Sequence, residues 1–110
     1  MKDLNVNVWK EQITNDQDVI LMDVRRPEEW QSGTIHGAIN MDIMNWHLFL
    51  ENANRLDKDK NYYVFCRSGM RSAQAMQLLD QLGFKHVYNL SGGLMSWDDT
   101  LEAPETVHHH

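Results

Sequence analysis

The chain has 110 residues, 42% of them hydrophobic, and a formal net charge of −6. That is material for one packed core, expected as a single domain over 1–105, with 106–110 a C-terminal tail whose histidines read as part of a purification tag. No apolar run reaches the length of a membrane span and no basic patch of nucleic-acid type occurs, so a membrane role and a nucleic-acid partner are both set aside.

The opening Met1-Lys2-Asp3-Leu4-Asn5 lacks the apolar core of a signal peptide. A cytoplasmic protein is therefore expected, with the periplasm left open for the case of a removed leader. The single cysteine, Cys66, cannot form an intramolecular disulfide, so stability has to come from packing.

Val8, Trp9 and Ile13 sit at helical spacing, with Asn7 as the expected N-cap. Asp18 to Val24 reads as a buried strand. Pro27-Glu28-Glu29-Trp30 places proline and two acids where the first turn of a helix favours them, and Gly33 is the expected stop. Gly37 to Met41 is a candidate short strand. Trp46, Phe49, Leu50, Ala53 and Leu56 share one face of a helix, with Asn45 as candidate cap. Asp57 to Asn61 is a solvated turn.

Tyr62-Tyr63-Val64-Phe65 is strongly β-prone and runs straight into Cys66. Met70 to Leu82 is helical, with Ala75, Met76, Leu79 and Leu82 on one side and Gly83 as terminator. His86 to Leu90 is a further strand. Gly92-Gly93 opens a last short helix with Leu94 and Trp97, and the acidic stretch from Asp98 to Glu105 is expected to fray. Strands alternating with helices argue for an α/β fold with a largely parallel sheet. Trp9, Trp30, Trp46 and Trp97 are read as packing residues.

The acids are unevenly spread. Between Lys60 and Leu79 there is no Asp or Glu, while Lys60, Arg67 and Arg71 are present. A locally positive window in an acidic protein suits a small anionic ligand. Cys66 lies in that window, at the end of one strand and before the next helix, where ligands of parallel α/β sheets bind. The free N–H groups of a helix start favour an anion there, and they favour a thiolate, the nucleophilic form of cysteine. Gly69 supplies the backbone freedom that a loop curled around an anion needs. The same features would hold a persulfide or an incoming thiosulfate. His36, His47 and His86 show no metal spacing, and one cysteine builds no zinc site, so neither metal nor cofactor is expected.

The stretch Cys66-Arg67-Ser68-Gly69-Met70-Arg71-Ser72 resembles the active-site loop of the rhodanese family, Cys-x-x-Gly-x-Arg followed by a small residue. Asp23 to Asn40 resembles that family's upstream signature, an Asp-Val-Arg followed by an acid-aromatic pair and a Gly-Ala turn. Leu90 to Trp97 resembles its closing Gly-Gly-x-x-x-Trp. The three segments agree in order and spacing over roughly Leu4 to Trp97. Thr34 stands where the family usually has His, His36 where it has Pro, and Trp30 where Phe or Tyr is commoner.

The resemblance implies a three-layer fold, a mostly parallel sheet of about five strands with helices on both faces. It also implies thiosulfate sulfurtransferase activity, in which Cys66 takes a sulfane sulfur as a persulfide and passes it to a thiol, or to cyanide, in two half-reactions. Arg67 is expected to attract the anionic donor. Arg71 is expected to brace the loop, with Asp23 as its candidate partner. Ser68 and Ser72 are candidate donors to the sulfur or helix caps, and Met70 is expected to shape the pocket wall. The expected partners are a small anionic sulfur donor and a thiol acceptor, a small redox protein among the candidates.

Cysteine phosphatases use five residues between Cys and Arg; this chain has four, Arg67 to Met70. A shorter ring of backbone donors has a smaller radius, which favours sulfur over phosphate. Three alternatives stay open: a phosphatase or arsenate reductase on the same fold, a non-catalytic docking module, and a relay delivering persulfide sulfur to a partner protein.

Overall fold

The run with the strongest β tendency, Asn61–Phe65 (β4), occupies the centre of the sheet in the computed structural model, which describes residues 1–104. Around it in chain order come β1 (Lys2–Leu4), α1 (Val6–Asn15), β2 (Val19–Asp23), α2 (Pro27–Ser32), β3 (Ile39–Asn40) and α3 (Trp46–Ala53). After β4 follow α4 (Met70–Gln81), β5 (His86–Leu90) and a 3-10 turn at Gly93–Ser96. The five strands are all parallel, in the order β1-β5-β4-β2-β3.

Strand periodicity divides the core. Tyr62, Val64 and Cys66 face one side, where they meet Met22, Val24 and Val87 under Phe49 and Ala53 of α3 and Ala75, Met76 and Leu79 of α4. Tyr63 and Phe65 face the other side, against Trp9 of α1, Leu90, Leu94 and Trp97. Helices therefore cover both faces, and all strand C-termini point to one edge of the molecule. Trp9 is fully buried, edge-on to Tyr63 at 5.2 Å and to Phe65 at 6.2 Å between ring centroids. Edge-to-face contacts of this kind add to the burial of a large aromatic.

Helix α4 stops as its glycine dictates. Gly83 adopts φ +93°, and the N–H groups of Gly83 and Phe84 donate to the carbonyls of Asp80 and Leu79. This paired closure lets Phe84 fold back into the core beside Leu79.

Several expectations need correction. Helix α1 is capped by Asn5, whose Oδ1 accepts the Val8 N–H at 3.0 Å, because Asn7 already lies inside the first turn. Asn45 holds the cap position of α3 but makes no side-chain cap bond. Instead Asp42 accepts the Met44 N–H one turn earlier. Trp46 is 53% exposed, in a first turn of α3 that is exposed throughout from Trp46 to Leu48, and its ring stacks on His47. The third strand contracts to Ile39–Asn40. Strand β1, three residues with one buried apolar, Leu4, carries no periodic signal in the sequence.

The acidic stretch does not fray over its described part. Glu102 exchanges both backbone hydrogen bonds with Thr34 at 2.8 Å, and Asp98 and Asp99 pair with Lys10. Residues 105–110, including the tail histidines, lie outside the described residues. Among the described residues no helix is long and apolar enough to cross a membrane.

The two tryptophans give a direct test of this core. Trp9→Ala should cost about 3–5 kcal/mol of unfolding free energy by urea titration, the usual range for emptying a buried aromatic site. Trp46→Ala should stay within about 0.5 kcal/mol of the parent, as an exposed substitution does.

Candidate functional site

Strand β4 delivers Cys66 to the C-terminal edge of the sheet, and the chain then turns at once into α4. The turn is made by Gly69 at φ +94°, a left-handed conformation that costs glycine nothing. Its consequence is a ring of donors around one sulfur. The Gly69 N–H donates to Cys66 Sγ at 3.1 Å, and the Ser72 N–H and hydroxyl both donate at 3.4 Å. The Ser68 backbone N–H adds a smaller contribution favouring the charged sulfur, while its side chain stays exposed.

Two opposing effects set the acidity of Cys66. Burial pushes the thiol up. The hydrogen bonds from Ser72, Gly69 and Ser68 together outweigh it, so the pKa falls below the ordinary thiol value. A thiolate at this position is therefore favoured by donors already in place.

The ring is held from behind. Cys66 O and Arg67 O accept the N–H groups of Leu94 and Met95 at 2.9 and 3.0 Å. This approach is so close that a Cβ on Gly93 would stand 2.5 Å from both carbonyl oxygens. The Gly92-Gly93 pair of the closing motif is thus the backbone surface on which the loop rests. Asn89 of β5 adds a side-chain strut: its Nδ2 donates to Gly69 O at 3.2 Å and to Asp3 Oδ1 at 2.8 Å. Nothing in the sequence singled out Asn89 or Asp3. A polar residue inside a β5 otherwise rich in apolar side chains was the available signal.

Arg71 does brace an element, but not through Asp23. Its guanidinium makes two bonds to Glu29 of α2, at 2.9 and 3.2 Å. The Glu29 carboxyl is held below its ordinary range, first by Arg71. The Arg71 pKa is raised, first by Glu29 against the effect of burial, with smaller contributions from Cys66 and Asp23.

Asp23 is fully engaged elsewhere. It accepts Arg25 Nη2 at 2.8 Å, the Arg25 N–H at 3.0 Å and the Thr34 hydroxyl at 2.8 Å. Arg25 in turn donates to Gly33 O at 2.7 Å. The nearer arginine in sequence wins because the turn after β2 brings its fork back onto the strand end. Thr34, in a position where histidine is usual in the resembling family, closes this buried network with a hydroxyl.

Arg67 and Met70 stand outside the ring. Both are exposed, Met70 at 74%, and Arg67 makes no ion pair among the described residues. Cys66 itself has 0% accessible surface and borders the core, although Arg67, Ser68 and Met70 of its loop are exposed. A cleft of about 820 Å3 lies elsewhere, between Trp30, His36, Ile39 and Glu102 beside the β3 edge, and does not include Cys66.

Comparison with known proteins supplies the family. The Rhodanese-like domain family model matches residues 6–100. The chain belongs to the rhodanese-like family.

A Bacillus subtilis (strain 168) protein that carries a provisional sulfurtransferase name, YtwF, is 40% identical over 98 residues, covering 89% of this chain and 91% of the relative. A tRNA uridine(34) hydroxylase of Pelagibacter ubique (strain HTCC1062) is 34% identical over 90% of this chain. This rhodanese-like domain spans only 33% of that hydroxylase's length. Among solved structures, a rhodanese-like domain protein from Staphylococcus aureus superposes with a TM-score of 0.80 at 30% identity, covering 93% of this chain and 97% of that one.

Removing one donor tests the ring. In Ser72→Ala the pH midpoint for alkylation of Cys66 by iodoacetamide should move upward, because two of the bonds that favour the thiolate pass through Ser72 and the hydroxyl is lost. An unchanged midpoint would show that the Ser72 hydroxyl does not stabilise the charged form.

Proposed function

We propose that this rhodanese-like domain is a thiosulfate sulfurtransferase working through a persulfide on Cys66. The observation that carries the reading is the donor ring at Cys66, formed on a loop of four residues between Cys66 and Arg71. The sulfurtransferase name of a relative matched along nearly its whole length points the same way.

The chemistry follows from the site. The Cys66 thiolate attacks the outer sulfur of thiosulfate, an S–S bond forms to Cys66, and sulfite leaves with the electron pair of the broken S–S bond. The product is a persulfide anion. Its terminal sulfur carries the charge that the amide groups and the helix N-terminus stabilise. Arg67, exposed and without an ion-pair partner among the described residues, attracts the dianionic donor. Arg71 keeps the loop seated through Glu29. In the second half-reaction an acceptor thiolate attacks the terminal sulfur and Cys66 leaves as a thiolate again. Neither half-reaction calls on a metal or an organic cofactor.

The relatives named as tRNA uridine(34) hydroxylases share this domain within chains about three times longer. The four-residue loop, rather than the five of cysteine phosphatases, argues against phosphate or arsenate as the substrate.

Incubation with thiosulfate should add one sulfur atom's mass to the intact protein, and Cys66→Ser should abolish both that gain and thiosulfate:cyanide turnover while remaining folded. Arg67→Ala should raise the KM for thiosulfate about tenfold, the loss of one charge-assisted contact of about 1.4 kcal/mol, with kcat little changed. An unmodified mass under conditions where the thiol still alkylates would defeat the proposal.

A further inference from the structure

Four large apolar side chains stand in water around the Cys66 loop: Met44 at 58% exposure, Trp46 at 53%, Met70 at 74% and Met95 at 73%. They come from the three segments that leave the C-terminal ends of β3, β4 and β5. Backbone bonds tie those segments together at the site. Met95 N–H donates to Arg67 O, Ile43 N–H next to Met44 donates to Val24 O, and Val24 N–H donates to Phe65 O. An apolar rim of this kind is not needed to bind a small anion, and exposed apolar clusters on soluble proteins mark interaction surfaces. Three methionines give it a soft, adaptable contact.

Building on the persulfide reading above, we infer that this rim docks the sulfur acceptor, and that the acceptor is a partner protein presenting a cysteine on an apolar segment flanked by acidic residues. Two observations choose the partner. Cys66 has no accessible surface, so a thiol carried on a macromolecule reaches its sulfur only by seating on the surrounding surface, where apolar neighbours of that thiol gain burial against Met44, Trp46 and Met95. Arg67 is exposed there without an ion-pair partner, inside a window from Lys60 to Leu79 that holds no acid in a chain of net charge −6. A second copy of this chain fits poorly, since a two-fold contact would set Arg67 against the same cationic loop of its mate.

Transfer then balances without an outside oxidant or reductant. The partner's thiolate attacks the terminal sulfur, a new S–S bond forms on the partner, the bond to Cys66 breaks, and its electron pair stays on Cys66 as thiolate.

The test loads the full chain with thiosulfate, confirms the added sulfur by intact mass, and removes excess donor. Delivery is then followed by mass to two acceptors, 2-mercaptoethanol and the peptide Glu-Leu-Cys-Leu-Glu. The triple variant Met44→Ser, Trp46→Ser, Met95→Ser should lose about tenfold in transfer to the peptide, the scale expected from forgoing burial of a few exposed apolar groups. Its transfer to 2-mercaptoethanol should stay within about twofold of the parent, because the small thiol reaches the sulfur without the rim. Replacing both Glu of the peptide by Lys should slow transfer from the parent protein, and added salt should narrow that difference.

Equal peptide transfer by parent and variant would overturn the inference. So would an equal loss toward both acceptors, which would make the rim a support of the loop. Sedimentation of the parent as a dimer that the triple variant abolishes would assign the face to a second copy instead. Failure of thiosulfate to load any sulfur would overturn the persulfide reading itself and this inference with it, a result separate from all of these.

Discussion

The site depends on one constraint: a sulfur atom and the N–H groups of a very short loop have to share the end of a central strand. Everything nearby serves that geometry. Gly69 turns the chain through a left-handed conformation so that its own N–H faces back to Cys66. Gly93 lacks a side chain so that the 3-10 turn can sit against the carbonyls of Cys66 and Arg67 and fix the outer side of the loop. Asn89 and Asp3 tie the loop to the sheet through β5 and β1, and Arg71 ties the start of α4 to α2 through Glu29. The donors are therefore aimed before any charge arrives, and they favour an anionic sulfur without reorganising.

Burial and hydrogen bonding pull the acidity of Cys66 in opposite directions. A cysteine with no accessible surface would ordinarily hold its proton and behave as a small apolar side chain. Here the row Tyr62, Val64, Cys66 enters the same core face, yet the third member meets a helix N-terminus instead of hydrocarbon. The same side chain thus belongs to the core by position and to the site by its partners. The exposed Arg67 and Met70 lie one layer farther out.

Much of this was legible in the sequence because short loops and glycines leave little choice. Phe65-Cys66 followed by Gly69 and a helical pattern placed Cys66 at a strand end, and the Gly83 terminator and the Pro27 helix start followed from local rules. What the sequence does not carry depends on tertiary context. Asp23 was expected to reach Arg71, but Arg25, two residues away, occupies it first, and Glu29 takes Arg71 in its place. Asp3 and Asn89 are 86 residues apart, and only the parallel β1–β5 pairing brings them together. Trp46 matches a helical stripe, yet the stripe's first member lies in the exposed first turn of α3, which periodicity does not report. The stretch after Trp97 looked free because acids dominate it, whereas its backbone pairs with Thr34.

The central claim concerns ionisation, and Cys66 is the sole cysteine, so its thiolate can be titrated directly by ultraviolet absorbance, with Cys66→Ser as the blank. The account predicts a lower midpoint in the folded protein than in the same chain unfolded in urea. A folded midpoint equal to or above the unfolded one would mean that burial wins over the donor ring, and would contradict it.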